Sequence, residues 1–163
     1  MKIAVLADLH DNLTSWQIIA QQLKEKGVEA IFFCGDVAKF STLQKICQDF
    51  SGNVYYVKGN SDLEDSSQQA EKISNLHYFS EIGEIEIDGK QIAFVHSPQQ
   101  ANNLAYSQKY DYVLFGHAHV QVQQQVGKTI LLNPGTAGGV FQYPSYAIIN
   151  LVNKKVKFKR IIL

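Results

Sequence analysis

The chain opens on a short apolar run, Lys2 to Ala7, of strand length and without helical spacing. Apolar residues then recur at Leu13, Trp16, Ile19, Ala20 and Leu23, which is the spacing of one helix face. That spacing predicts a helix from Leu13 to Lys26, and Gly27 is a natural C-terminal cap. Ala30 to Cys34 is a second apolar run, a helix is expected over about Ser41 to Phe50, and Asn53 to Val57 is a third run. This order predicts βαβ units and a parallel sheet. Unbroken apolar runs fit strands covered on both faces.

The second half changes character. Glu84 to Ile87 and Gln91 to Val95 flank Asp88-Gly89, which predicts a hairpin with a type I′ turn. Tyr112 to Phe115 reads as a buried strand. Val120, Val122 and Val126 alternate partly with glutamine, as a half-exposed strand would. Thr129 to Leu132, Ser145 to Val152 and Val156 to Leu163 complete a strand-rich half. The expectation is an α/β protein, two stacked mixed β-sheets flanked by helices, in one domain over residues 1–163.

Composition narrows the class. With 163 residues and 45% hydrophobic positions the chain can bury a core, and it lacks the charge excess of a disordered protein. Lys+Arg and Asp+Glu number 15 each, so there is no basic excess to favour sequence-specific nucleic-acid binding. No apolar run is long enough to span a membrane, and the N-terminus meets Asp8 too early for a signal peptide. Two cysteines make no disulfide framework. A soluble, cytoplasmic protein is expected. The five histidines are the unexplained number, because they are not scattered.

Each polar cluster follows an apolar strand: Asp8-Leu9-His10, Gly35-Asp36, Gly59-Asn60-Ser61-Asp62, His96, and Gly116-His117-Ala118-His119. Ligands of open α/β sheets bind beyond the carboxyl ends of the strands, so the clusters can converge. Asp8 and His10 are two apart, as are His117 and His119, so in extended segments each pair points one way. Two carboxylates, an amide oxygen and four imidazoles are too many ligands for one tetrahedral ion. They suit two cations roughly 3.5–4 Å apart, clamping the oxygens of a phosphoryl displacement. A water shared by two dications becomes hydroxide near neutral pH, so no side-chain nucleophile is needed.

The ordered set D-x-H, G-D, G-N-x-D, H, G-H-x-H resembles the calcineurin-like metallophosphoesterase superfamily, in particular its small bacterial and archaeal phosphodiesterase branch. The resemblance covers nearly the whole chain. It implies that Asp8, His10, Asp36 and His119 hold a first ion and that Asp36, Asn60, His96 and His117 hold a second, with Asp36 bridging. Catalysis is then assigned to Asp36, Asn60 and His117 around a metal-bound hydroxide. Asn12, Asn60 and Ser61 are the candidate substrate contacts, with Asn12 shaping the loop beneath it. Asn133-Pro134-Gly135-Thr136 resembles the loop beside the family's metal site. The expected cofactors are two divalent ions, manganese first, with zinc, iron, nickel or cobalt as alternatives.

Three positions depart from the family pattern. Ser61 stands where many relatives have a histidine that protonates the leaving group. Ser97-Pro98 follows His96 where Gly-His is common. Asp11 stands where glycine is common, and its charge is expected to narrow access for strongly anionic substrates. The implied activity is a metal-dependent phosphodiesterase acting on a small diester. A phosphomonoesterase on the same site is the alternative, and a scaffold of this fold, as in the retromer's metallophosphoesterase-fold subunit, is a third. No membrane partner is expected, and a homodimer or homotetramer is.

Other candidates have plainer readings. His77 is structural, Asp62 either caps a helix from Leu63 or supports the site, and Lys58 is solvated. Cys34 and Cys47 are small hydrophobes. Gly127-Lys128-Thr129 ends like a phosphate-binding P-loop, but the first glycine of that motif is Val122 here, so a turn is expected. Gly138-Gly139 reads as a loop. Phe141, Tyr143 and Tyr146 fit a core, a substrate cleft or a subunit contact, and the sequence leaves the three open.

Overall fold

The computed structural model of the chain describes residues 1–62 and 66–162. Its first half builds β1 (Lys2–Leu6), α1 (Leu13–Glu25), β2 (Ala30–Phe33), α2 (Phe40–Asp49) and β3 (Asn53–Val57), in the predicted order. Short α3 (Ser67–Ala70) and β4 (Leu76–Phe79) follow, then β5 (Ile82–Ile87), β6 (Lys90–Val95), α4 (Pro98–Tyr106), β7 (Tyr112–Phe115), β8 (Gln121–Val126), β9 (Thr129–Pro134), β10 (Ser145–Asn150) and β11 (Lys155–Arg160).

The strands form two mixed sheets, one in the order β11-β10-β1-β2-β3-β4 and one in the order β5-β6-β7-β9-β8. β1 to β4 run parallel, and β10 and β11 add antiparallel to β1. In the second sheet β6, β7 and β9 are parallel, with antiparallel β5 and β8 at the edges. Strand alternation decides the layers. Ala4, Leu6, Ile31 and Phe33 pack beneath Trp16, Ile19 and Leu23 of α1 and Leu43 and Ile46 of α2. The residues between them, Ile3, Val5, Ala30 and Phe32, meet Phe94, Leu114 and Leu132 of the second sheet. That sheet's outer face, Val95, Val113 and Phe115, is covered by Ala101 and Ala105 of α4. Helix, sheet, sheet, helix is the expected layering, and the runs without alternation are apolar because both faces are buried.

The hairpin forms at the predicted turn, where Asp88 and Gly89 both have positive φ, 51° and 68°. Gly127 turns between β8 and β9, so Gly127-Lys128-Thr129 is a hairpin turn and not a phosphate loop. Sequence periodicity missed α3, α4 and β4. Helix α4 had a start signal in Ser97 followed by Pro98, which is pre-set for the first helical turn. It presents few large apolar residues, since alanines do its packing. β10 and β11 end at Asn150 and Arg160, short of the predicted Val152 and Leu163; Leu163 lies outside the described residues. Among the described residues no helix is long and apolar enough to cross a membrane.

Candidate metal centre

The parallel strands β1, β2, β3, β6 and β7 deliver all five polar clusters to one end of the two sheets. The backbone leaves the strands abruptly. Asp8, His10, Asp36, His117 and His119 all have left-handed φ, between 47° and 67°. Such conformations are strained for residues with a Cβ and persist only where the surroundings impose them. The expectation that Asp8 and His10, and His117 and His119, align through extended segments is therefore corrected: tight turns aim these side chains.

Hydrogen bonds impose the turns. The amides of Asp8, His10 and Asp11 donate to the carbonyls of Gly35, Asp36 and Val37, which locks the loop after β1 to the loop after β2. The Asn133 amide group donates to Gly116 O at 2.8 Å, and the Thr136 hydroxyl donates to Asp8 O at 2.9 Å. The Asn-Pro-Gly-Thr loop thus fastens the Asp8 and His117 turns together. Gly59 approaches the Asp36 loop so closely that a Cβ there would lie 2.1 Å from Asp36 Oδ1.

Asp8 is fully buried, and its carboxylate accepts from the His117 amide at 3.0 Å. His119 Nε2 lies 3.3 Å from Asp8 Oδ1, while its Nδ1 lies 3.2 Å from Val140 O. His10 Nε2 is buried and has no hydrogen-bond partner among the described residues. Ligand atoms of Asp8, His10 and His119 all fall within 4.8 Å of one another, as do those of Asp8, Asp36 and His96. Asp8 is common to both groups, and Asp36 Oδ2 lies 3.9 Å from His10 Nε2 of the first and 3.5 Å from His96 Nε2 of the second.

Asn60, His96 and His117 form the other half. Asn60 Oδ1 is 2.8 Å from both His96 Nε2 and His117 Nδ1, and those two nitrogens are 3.3 Å apart. His96 Nδ1 lies 2.8 Å from Cys34 O, and a carbonyl can only accept, so Nδ1 carries the proton. In a neutral His96, Nε2 then points a lone pair at an amide oxygen. A cation relieves that conflict. The orphaned His10 nitrogen and this crowd of acceptors fit a site for divalent ions.

Without an ion the centre holds a proton that a cation would have to displace. Burial, and then the neighbouring Asp36 charge, raises the Asp8 carboxyl from its ordinary 3.8 to about 8. Burial keeps His119 below its usual value, which leaves it a neutral ligand. Burial also raises both thiols, Cys47 to about 12 and Cys34 well above the ordinary range, so neither is reactive.

Other candidates fall into place differently. The Asn12 side chain caps α1 by accepting from Ser15 N and donates to Gly138 O at 2.8 Å, so its amide shapes the loop from both ends. Ser61 N and Oγ donate to the two Asp36 oxygens at 2.8 and 3.0 Å, so the hydroxyl is directed at the ligand and not outward. Asp11 does not narrow the entrance as a free charge. Its carboxylate accepts from Thr42 at 2.6 Å and pairs with Lys39 at 3.1 Å, and these contacts outweigh burial and hold it below the usual range. His77 is structural, stacked on Tyr55 at 4.7 Å. Asp62 accepts from the amides of Asp36, Ala38 and Gly59 and from the Tyr56 hydroxyl, so it braces both ligand loops. Its capping alternative begins at Leu63, outside the described residues.

A helix-flanked pair of mixed sheets with carboxylates, imidazoles and an amide oxygen gathered at the strand ends defines an α/β protein with a candidate metal site. The chain belongs to the calcineurin-like phosphoesterase superfamily, whose domain model matches residues 1–154. A phosphodiesterase of Methanocaldococcus jannaschii is 24% identical over 168 residues, spanning 100% of this chain and 99% of that protein. The solved structure of an archaeal phosphodiesterase superposes with a TM-score of 0.90 at 24% identity, covering 99% and 100% of the two chains. Vps29 of Entamoeba histolytica, solved as a complex with Zn²⁺, has a TM-score of 0.69 at 19% identity, covering 99% and 98%. These structural likenesses share the fold.

Proposed function

We propose that this protein is a metal-dependent phosphodiesterase. The observation that carries the reading is Asp36 Oδ2, which lies 3.9 Å from His10 Nε2 and 3.5 Å from His96 Nε2 and so within reach of both halves of the candidate centre. Asp8, His10, Asp36 and His119 would hold one divalent ion, and Asp36, Asn60, His96 and His117 a second, with Asp36 shared. Manganese is the first expectation, with zinc, iron, nickel or cobalt as alternatives. Bound divalent ions supply Lewis acidity toward a phosphoryl oxygen and lower the pKa of a coordinated water.

The chain's own residues prepare that chemistry. The Cys34 carbonyl fixes the His96 tautomer so that Nε2 faces the centre. The His117 amide and the Thr136 loop hold Asp8 in its buried turn. Ser61 holds Asp36, which leaves no histidine after Asn60 to protonate a leaving group. A serine hydroxyl is a poor acid at neutral pH. The site therefore favours diesters whose leaving group departs without protonic help.

Metal analysis of the purified protein and hydrolysis of bis(p-nitrophenyl) phosphate, with and without added Mn²⁺ or Zn²⁺, test the reading. Chelation should abolish turnover, and Asp36→Ala and His117→Ala should each lower kcat/KM by at least about a hundredfold. The diester should be preferred over p-nitrophenyl phosphate; the opposite preference makes the protein a monoesterase. Full activity in Asp36→Ala, or none with any divalent ion, overturns the proposal.

A further inference from the structure

We propose that the groove beside His119 is a subsite for the nucleoside of a nucleotide diester, with Phe141 as its stacking platform. This deepens, and rests on, the phosphodiesterase reading.

Phe141 is 90% exposed, yet it is held in a left-handed conformation at φ 62°. A bulky residue rarely adopts that conformation, and an exposed one gains no core packing in return. One contact it does make is with the candidate centre: its ring stacks on His119, 5.9 Å between centroids at 27°. One aromatic face is thus anchored over a candidate ligand while the ring stays largely in solvent. An open aromatic face stacks any base.

From His119 a groove of about 280 Å³ runs past Val120, Gln121, Gln142, Tyr143 and Arg160, and Phe141 stands outside its lining, at the His119 end. The volume suits a nucleoside. The two glutamine amides offer donors and acceptors to a base edge or a ribose hydroxyl. Arg160 is the only arginine in the chain, against 14 lysines. Its guanidinium carbon sits over the Tyr143 ring, 3.2 Å from the centroid, and among the described residues no carboxylate pairs with it. An arginine held over an aromatic ring, with no acid partner among the described residues, presents planar donors to a heterocycle. The lining sets Val120 and the Tyr143 ring beside two amides and a cation, a mixture that matches a nucleoside, which is apolar on its ring faces and polar on its edges, better than a lipid tail.

The test compares thymidine 5′-(p-nitrophenyl phosphate) with methyl p-nitrophenyl phosphate, which share a leaving group and differ only in the nucleoside. In the Mn²⁺-loaded protein kcat/KM should favour the thymidine ester by at least about ten-fold. Phe141→Ala and Arg160→Gln should each pull that ratio toward one, and Phe141→Trp should restore it. A ratio near one in the wild type, or a ratio unchanged in Phe141→Ala, overturns the subsite while leaving the phosphodiesterase reading intact. If neither ester is cleaved with any divalent ion, that reading fails, and calorimetric titration decides the subsite alone. Thymidine 5′-monophosphate should then bind more tightly than methyl phosphate, with the advantage lost in Phe141→Ala. Equal binding of the two phosphates overturns it.

Discussion

The Ser61 hydroxyl donates to Asp36 Oδ2 at 3.0 Å while the Ser61 amide donates to Asp36 Oδ1 at 2.8 Å. Ser61 is therefore a clamp on the shared candidate ligand. Ser61→Ala should keep the fold but weaken divalent-ion affinity about three- to ten-fold, since a ligand's outer hydrogen bond is lost. Competition with a metallochromic indicator measures it. Unchanged affinity would mean that the amide alone fixes Asp36. Ser61→His should raise the rate on esters with poor leaving groups relative to p-nitrophenyl esters.

Asp62 carries more of the scaffold than of the chemistry. Its carboxylate gathers the amides of Asp36, Ala38 and Gly59, at 2.7 to 2.9 Å, together with the Tyr56 hydroxyl. Asp62→Ala leaves these buried donors unsatisfied, and each such group costs about 1–3 kcal/mol. Thermal unfolding should show a loss of at least about 3 kcal/mol, with metal binding impaired in whatever remains folded. A loss below about 1 kcal/mol would show that water replaces the carboxylate.

Gly59 is required by space. Because a Cβ there would meet Asp36 Oδ1 at 2.1 Å and Asp36 N at 2.4 Å, Gly59→Ala should push the Asp36 loop away. Diesterase activity should fall by at least about a hundredfold. Far-ultraviolet circular dichroism should stay near wild type, because the strand itself is not disturbed. Near-normal activity would show that the loop yields without moving Asp36.

Asp8 makes the metal-free protein pH-sensitive. Burial, then the Asp36 charge, raises its folded value to about 8 from an ordinary 3.8. The folded state consequently holds a proton that the unfolded chain has released, and stability falls as pH rises from about 4 toward about 8. In chelator, Tm should drop by several degrees between pH 5 and pH 8, on the order of the shift expected for a few kcal/mol. A saturating divalent ion should flatten this dependence, and Asp8→Asn should remove it. Calorimetry over that pH range checks all three curves.

The element order of the first half was readable because each buried strand is a short apolar run and each helix carries one apolar stripe, as in Trp16, Ile19 and Leu23. α4 and β4 were not. The first packs through Ala101 and Ala105, and the second is a four-residue strand whose alternation is too brief to register. The seven candidate ligands were legible as residue types after strands, and the structure gathers them. The way they are aimed was not legible. Two-residue spacing implied extended pairs, whereas left-handed turns at Asp8, His10, His117 and His119 do the aiming.

Sequence by itself determined the residue chemistry available here: carboxylates, imidazoles and an amide oxygen following apolar strands, with no charge excess elsewhere. Patterning is local, so it could specify which residues end each strand. Only the tertiary structure decided their partners, because those partners are distant in the chain. Ser61 turned from candidate substrate contact into a brace for Asp36, Asp62 took the supporting one of its two readings, and Lys39 and Thr42 hold the carboxylate of Asp11. The aromatic set left open by the sequence was divided in the same way. Tyr146 is buried in the core because β10 is covered on both faces, whereas Phe141, in the loop before that strand, stands in solvent against His119.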